Sequence, residues 1–160
     1  MPTRAAATLR RLGVSFDLLE FEAEEFSAAE AAERLGLRTE QVFKTLVVRA
    51  DDGRVVLACV PGGRDLDLRA LARVASARRM EMVDVGELMR LVGYVKGAVS
   101  PIGTRRPYPV YVDDSALNHE RLSVSAGARG LQIWIAPADL IRASGATVAA
   151  LTAQSGIGGS

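Results

Sequence analysis

The chain has 160 residues, 49% of them hydrophobic, and its 20 basic and 19 acidic residues leave a net charge of +1. This composition excludes wholesale disorder, a membrane-spanning helix and a polycation that coats nucleic acid non-specifically. A single cysteine, Cys59, and a start without the apolar core of a secretion signal lead us to expect a cytoplasmic protein. We expect one domain over residues 1–154 and a flexible tail, rich in Gly and Ser, over residues 155–160.

The first part of the chain shows clear start and stop signals. Ser27-Ala-Ala-Glu30 has the pattern of a capping box, and Gly36 is placed to end the helix that it opens. Asp51-Asp52-Gly53 lies between two apolar runs and predicts a hairpin turn. In chain order the predicted elements are a helix over residues 3–12, a strand over 14–21, a helix over 27–35 and hairpin strands over 42–49 and 54–60.

The second part alternates short strands with helices. We expect a helix over residues 66–77, a strand over 80–83, a helix up to residue 92, strands over 110–112, 122–124 and 131–135, and a last helix from Pro137. Three glycines and a proline exclude a regular helix over residues 93–103. The fold class is therefore α/β of the α+β type, with a compact, mixed and mostly antiparallel barrel-like sheet surrounded by helices.

The use of lysine stands out. Of the 20 basic residues, 18 are Arg, and the two lysines are Lys44 and Lys96. Strand alternation puts Lys44 on one face with Val42, Leu46 and Val48. If that face is buried, the ammonium needs an anionic partner or a cleft; the alternative is a lysine that reaches solvent at a sheet edge.

Two glycine-rich segments have open interpretations. Residues 97–103 can bring backbone N–H groups close to an anionic ligand, or they can form a tight connector that needs positive φ. Residues 125–130 can form a hairpin loop or a small-residue wall with Arg129 beside a pocket. Neither segment is a GxGxxG or Walker motif, so a nucleotide cofactor is not expected.

Common catalytic devices are missing from the sequence. His119 is the one histidine and lies in a polar run, which favours a surface position, and Cys59 lies in an apolar strand, which favours packing. One His and one Cys cannot form a zinc cluster, and Asp113-Asp114 fits a turn or a helix cap better than a metal site. We therefore predict no metal and no cofactor. An enzyme with these residues would depend on positioning, backbone donors and one cation.

Four motifs in order resemble one known family. In chain order they are the helix Glu30 to Gly36, Val42-Phe43-Lys44-Thr45-Leu46, the run Gly93 to Gly103, and the run Val124 to Ile133 followed by Ala136-Pro137-Ala138-Asp139-Leu140. Over about residues 3–150 they resemble the YbaK branch of the YbaK/prolyl-tRNA synthetase-associated domain family.

The resemblance implies a trans-editing aminoacyl-tRNA deacylase that acts mainly on Cys-tRNA(Pro). It implies catalytic roles for Lys44 and Gly97, and substrate binding by Phe26, Thr45, Ala98, Ser100, Pro101, Ile102, Gly103, Gly127, Arg129 and Gly130. A tyrosine that the family often has corresponds to Phe21, which lacks the hydroxyl, and no role is carried over to Lys96. In the family mechanism the thiol of the substrate cysteine attacks the carbonyl of its own ester. This releases the tRNA and a cyclic cysteine thiolactone.

The same resemblance implies the partners of the protein and leaves open an alternative substrate and an alternative function. We expect mischarged tRNA as the substrate, prolyl-tRNA synthetase as a partner in a ternary complex, and neither a membrane nor DNA. Another mischarged tRNA, carrying Ala or Ser, is an alternative substrate. A module that binds tRNA or a synthetase without catalysis is the alternative from another class.

Overall fold

The computed structural model describes residues 3–153. The predicted tail over residues 155–160 and the two ends of the predicted domain lie outside this range. The described helices are α1 Arg4–Arg11, α2 Ala28–Leu35, α3 Leu68–Val74, α4 Leu88–Val92 and α5 Pro137–Ser144. The described strands are β1 Asp17–Glu20, β2 Phe43–Ala50, β3 Val55–Pro61, β4 Met80–Met82, β5 Val110–Asp113, β6 Leu122–Ala128, β7 Leu131–Ile135 and β8 Thr147–Ala149.

Two sheets carry the fold and confirm the predicted class. One has the order β1-β7-β6 and is antiparallel throughout; the other has the order β4-β2-β3-β5-β8 and is parallel only at β3-β5 and β5-β8. A parallel bridge between Val42 and Ser123 joins the two sheets beside the start of β2. The mixed sheet that the sequence predicts is thus split in two and held together at one corner.

Lys44, the second residue of β2, lies on the less buried face of the strand. Phe43 and Val47 pack into the core between the sheets, while Val48 is buried on the opposite face, which α3 covers. Lys44 and Leu46, on that second face, are only half-buried. The face of Lys44 is therefore neither fully in the core nor fully in solvent.

Helix α2 begins and ends as its sequence predicts, with one difference. The Ser27 hydroxyl accepts the N–H of Glu30 at 3.1 Å, and Gly36 ends the helix in the left-handed conformation with φ +70°. The carboxylate of Glu30 does not complete a capping box. It accepts the N–H groups of residues 24, 25 and 26 instead, so it acts on the chain before the helix.

Other differences concern short or polar segments. The helix predicted over residues 66–77 spans only Leu68–Val74. It begins at Leu68 because Asp67 caps it by accepting the N–H groups of Arg69 and Ala70. The edge strand β8 was not predicted, since three residues give too short a pattern. No helix within the described range is both long and apolar enough to cross a membrane.

Candidate functional site

A cavity of about 380 Å³ opens between β2, the start of α2, the first glycine-rich segment and the β6-β7 hairpin. Five of the residues predicted for a site line it: Lys44, Thr45, Phe26, Gly97 and Gly130. They come from four separate parts of the sequence. The structure therefore brings both predicted catalytic residues to the same cavity.

Lys44 enters the cavity from β2, whose pairing with β3 holds it opposite Val60. Its neighbour Thr45 is buried, and the Thr45 hydroxyl lies 3.5 Å from the Cys59 sulfur. Burial raises the pKa of the Cys59 thiol to about 12, although the Thr45 hydroxyl opposes the shift. Cys59 is not among the cavity-lining residues, and its thiol stays protonated at neutral pH.

Gly97 and Phe26 form one of the close contacts of the cavity wall. Gly97 has φ +82°, and a Cβ built on it would lie 2.5 Å from the Phe26 Cβ and 2.9 Å from the Phe26 carbonyl oxygen. Phe26 itself has φ +60°, a conformation that is uncommon for a bulky residue. Two unusual backbone positions are thus packed directly against each other.

The buried carboxylate of Glu30 holds the segment that carries Phe26. It accepts the N–H of Glu24 at 2.8 Å and the N–H of Phe26 at 3.1 Å, and Arg34 lies 3.3 Å from it. Burial works against ionisation, but these backbone donors and Arg34 outweigh it, and the pKa of Glu30 is lowered from its usual 4.5. An ionised Glu30 thus compensates for the strained turn at Phe26.

Arg129 joins two sides of the cavity mouth without lining the cavity. Its guanidinium carbon lies 3.9 Å from the centre of the Phe26 ring. Its Nε and Nη2 donate to the Lys96 carbonyl oxygen at 3.0 Å and 2.9 Å. Its Nε and Nη2 are thus used on the backbone of the opposite loop, and the substrate-binding role of Arg129 stays a prediction.

Within the predicted wall over residues 97–103, only Gly97 and Val99 line the cavity. Ala98, Ser100, Pro101 and Ile102 are buried but do not line the cavity. Two of the N–H groups that were expected to meet a ligand are already used. The N–H of Ala98 donates to the Val95 carbonyl, and that of Ile102 donates to the Ser100 hydroxyl.

The end of this segment faces α1 instead. Arg4 donates its Nε to the Gly103 carbonyl oxygen at 3.0 Å, and the Tyr94 hydroxyl donates to the Ile102 carbonyl oxygen at 2.6 Å. Gly127 packs against the ring of Tyr94, where a Cβ would lie 2.5 Å from the ring. Gly103 and Gly127 thus permit close packing around Tyr94 and lie outside the cavity wall.

Gly130 permits another close approach. Its carbonyl accepts the N–H of Phe21 at 2.9 Å, and a Cβ at Gly130 would collide with the Phe21 carbonyl oxygen. Phe21, at the position where the family often has tyrosine, lines the cavity and offers no hydroxyl there.

Sequence reasoning left out several other lining residues, among them Lys96, Ser125, Gln132 and Gly62. Lys96 had a signal, since it is one of only two lysines. Gln132 is a buried polar residue in the apolar strand β7, and its side-chain oxygen accepts the Ser123 hydroxyl at 3.0 Å. No sequence pattern pointed to Gly62 as a site residue. A Cβ there would lie 2.7 Å from the Ala28 Cβ at the start of α2.

Comparison with known families and proteins fits this arrangement. The family model of the aminoacyl-tRNA editing domain matches residues 22–143. A candidate Cys-tRNA(Pro)/Cys-tRNA(Cys) deacylase of Enterococcus faecalis, EbsC, is 34% identical over 131 residues, which are 82% of this chain and 80% of that protein. A proline–tRNA ligase of Acidithiobacillus ferrooxidans is 30% identical over 109 residues, 68% of this chain but only 19% of the ligase.

Solved structures show the same fold. A candidate trans-editing enzyme for prolyl-tRNA synthetase superposes with a TM-score of 0.85 at 28% identity, covering 93% of this chain and 94% of that one. The hypothetical protein APE2540 superposes with a TM-score of 0.87 at 25% identity, covering 94% of this chain and 99% of that one. The fold is that of a small editing-type domain. The chain belongs to the aminoacyl-tRNA editing domain family, in its YbaK-type form.

Proposed function

We propose that this protein is a trans-editing aminoacyl-tRNA deacylase and that Cys-tRNA(Pro) is its substrate. The observation that carries the proposal is the meeting of Lys44 and Gly97 at one small cavity that is lined largely by apolar and small residues. The name of EbsC, with 34% identity over most of both chains, supports cysteinyl-tRNA as the substrate class.

The residues that line the cavity favour a mechanism in which the substrate supplies the nucleophile. The described residues that line it include no His, Cys, Asp or Glu that can activate a serine or threonine hydroxyl. A cysteinyl ester carries its own thiol, which is far more nucleophilic than a hydroxyl when deprotonated. A cavity that positions this thiol beside the ester carbonyl gains the rate advantage of an intramolecular reaction.

The proposed step balances as follows. The substrate sulfur forms a bond to the ester carbon, the bond from that carbon to the ribose oxygen breaks, and the thiol proton passes to the departing ribose hydroxyl. The products are tRNA and a cysteine thiolactone, which water opens to free cysteine. The Lys44 ammonium polarises the ester and stabilises negative charge on the carbonyl oxygen.

Gly97 supplies the backbone donor. The N–H of Ala98 is bonded to Val95, whereas within residues 3–153 the N–H of Gly97 donates to no backbone carbonyl. We assign this N–H to the developing oxyanion, where one well-placed donor is worth roughly 100-fold in rate. Phe26 and Thr45 are assigned to the walls that enclose the aminoacyl group.

A panel of charged tRNAs tests the proposal. Purified protein is incubated with Cys-tRNA(Pro), Cys-tRNA(Cys), Ala-tRNA(Pro) and Ser-tRNA, and the loss of the ester is followed. We expect fast loss only of the cysteinyl esters. Equal loss of an alanyl ester would overturn the thiol mechanism, and no loss from any charged tRNA would overturn the deacylase function in favour of a binding module.

We also propose that prolyl-tRNA synthetase is a partner. The matching segment in the A. ferrooxidans ligase shows that a domain of this kind can form part of such a synthetase. With a net charge of +1 this chain has little general attraction for tRNA, so selection of the tRNA by the synthetase fits its charge. Co-elution of protein, synthetase and tRNA in size-exclusion chromatography supports the complex; separate elution at every salt concentration contradicts it.

A further inference from the structure

The two lysines of this protein line the same cavity, although they lie far apart in the sequence. All 18 other basic residues are arginines. Of the described residues that line the cavity, none carries a carboxylate, and no ion pair of the described part of the chain involves Lys44 or Lys96. Of the carboxylates next to lining residues, Glu24 is paired with Arg34, and Glu22 and Glu25 are exposed outside the lining. The cavity therefore carries two ammonium charges and favours an anionic ligand.

The two ammonium groups lie at different depths. Lys44 is half-buried on a sheet strand, whereas Lys96 is exposed on the loop at the cavity mouth. The backbone of Lys96 is held in place, because Arg129 donates two hydrogen bonds to its carbonyl oxygen. Its neighbour Gly97 is packed against Phe26, on which Arg129 also stacks. Lys96 is thus an exposed lysine whose backbone is held in place at the cavity mouth.

The proposed substrate places its charges in a matching order. The aminoacyl ester is attached to the ribose of the terminal nucleotide and carries no phosphate. The first anionic group along the strand is the phosphodiester that joins this nucleotide to the next one. An aminoacyl group beside the inner lysine therefore leaves the first phosphodiester nearer to the mouth.

We propose that Lys96 is a substrate-binding residue that contacts this phosphodiester. The inference rests on the proposed deacylase function and gives the second lysine a role distinct from that of Lys44. Lysine suits the task because its compact ammonium binds phosphate as a point charge and needs no fixed fork geometry. Arg129 is less suited, since its Nε and Nη2 are used on the Lys96 carbonyl and one face of its guanidinium covers Phe26.

The test measures binding of a short labelled RNA that ends in CCA, by fluorescence anisotropy over a series of salt concentrations. The variants are Lys96→Met, which keeps an apolar side chain of similar length, and Lys96→Arg, which keeps the charge. Arg142→Met is the control, because it removes one positive charge at a residue that does not line the cavity.

We expect Lys96→Met to weaken RNA binding roughly threefold to tenfold and to reduce the slope of log affinity against log salt by about 0.7, the value for one phosphate contact on a single strand. Lys96→Arg keeps most of the affinity and Arg142→Met keeps all of it. Unchanged affinity and slope in Lys96→Met, or no measurable RNA binding by the wild-type protein, would overturn the proposal.

A second measurement separates this inference from the proposed function. Deacylation is compared on Cys-tRNA(Pro) and on cysteinyl-adenosine, which has the ester but no phosphate. Lys96→Met should lower kcat/KM on the tRNA and leave the rate on the nucleoside ester unchanged; equal losses on both would contradict the phosphate contact. A wild-type protein that hydrolyses neither ester refutes the deacylase function, and the RNA titration still decides whether Lys96 binds a phosphodiester.

Discussion

Gly97 lies so close to Phe26 that any side chain at residue 97 would meet it, with only 2.5 Å between a Cβ there and the Phe26 Cβ. This contact joins the glycine loop, to which we assign a backbone donor, to the segment before α2, which lines the cavity. Because of this contact, even a substitution of Gly97 by alanine would displace its neighbours. The contact also shows that a positive φ and a close approach coincide at the centre of the proposed site.

Gly97→Ala is therefore expected to damage activity more than stability. The added methyl group must push Phe26 or the loop away, and a misplacement of about 1 Å can cost roughly 100-fold in rate. We expect kcat/KM on Cys-tRNA(Pro) to fall by roughly that factor. The measurement is deacylation kinetics together with thermal unfolding.

Gly53→Ala is the matched control for this variant. Gly53 has φ +93° in the β2-β3 turn, and nothing lies within 4 Å of an added Cβ. Its substitution costs about 1 kcal/mol for the left-handed conformation alone. The account expects normal kcat/KM in Gly53→Ala, and equal kinetic losses in both variants would show that the contact with Phe26 has no special importance.

Gly103→Ala should behave in the opposite way to Gly97→Ala. A Cβ on Gly103 would lie 2.8 Å from the Arg4 carbonyl carbon, in a region that packs against α1 and not against the cavity. We expect a clear drop in melting temperature with little change in kcat/KM for the protein that remains folded. A selective loss of activity with normal stability would instead place Gly103 in the cavity wall.

Glu30→Gln should loosen the segment that carries Phe26. The amide keeps one acceptor oxygen for the N–H groups of residues 24–26 and loses the charge that Arg34 faces. We expect lower stability and a lower kcat/KM. Glu33→Gln, an exposed change on the same helix, is the control and should leave both unchanged.

The pH dependence of Glu30→Gln gives a second readout. The pKa of Glu30 in the folded protein lies below its usual 4.5. The stability that comes from its ionised form is complete above pH 4.5 and is lost as the pH falls through the lowered pKa. The difference in unfolding free energy between wild type and variant should therefore shrink on acidification; a constant difference would contradict the role of the charge.

Cys59 is expected to be dispensable for catalysis. Its thiol is fully buried, its pKa is raised to about 12, and it does not line the cavity. Cys59→Ala should keep kcat/KM within about twofold and lose about 1 kcal/mol of stability for the missing sulfur. The native thiol should resist alkylation at pH 8 and react on unfolding, whereas rapid alkylation that abolishes activity would make Cys59 a candidate nucleophile.

Local signals in the sequence were enough to predict much of the fold. The stop at Gly36, the hairpin around Gly53 and strand β7 depend on neighbours close in sequence, and the structure confirms them. The inward packing of residues 98–103 was not predictable in this way. It depends on Arg4, whose bond to Gly103 spans 99 positions of the chain.

The same distinction applies to the site. The motif around Lys44 and the glycine-rich segment over residues 97–103 suggested Lys44 and Gly97 as site residues. The structure places both at one cavity. The link from Glu30 through Phe26 to Gly97 was missed, because the pattern around Glu30 also fits an ordinary capping box. Only the observed hydrogen bonds show that the carboxylate serves the preceding segment.

The most direct test of the central claim compares the wild-type protein with Lys44→Ala and Lys44→Met on Cys-tRNA(Pro). Methionine keeps an apolar side chain of similar length and removes the charge, so it isolates the ammonium from packing. The account predicts a fall in kcat of roughly 100-fold or more in both variants with a nearly unchanged melting temperature. Turnover at the wild-type rate by folded Lys44→Met would contradict it.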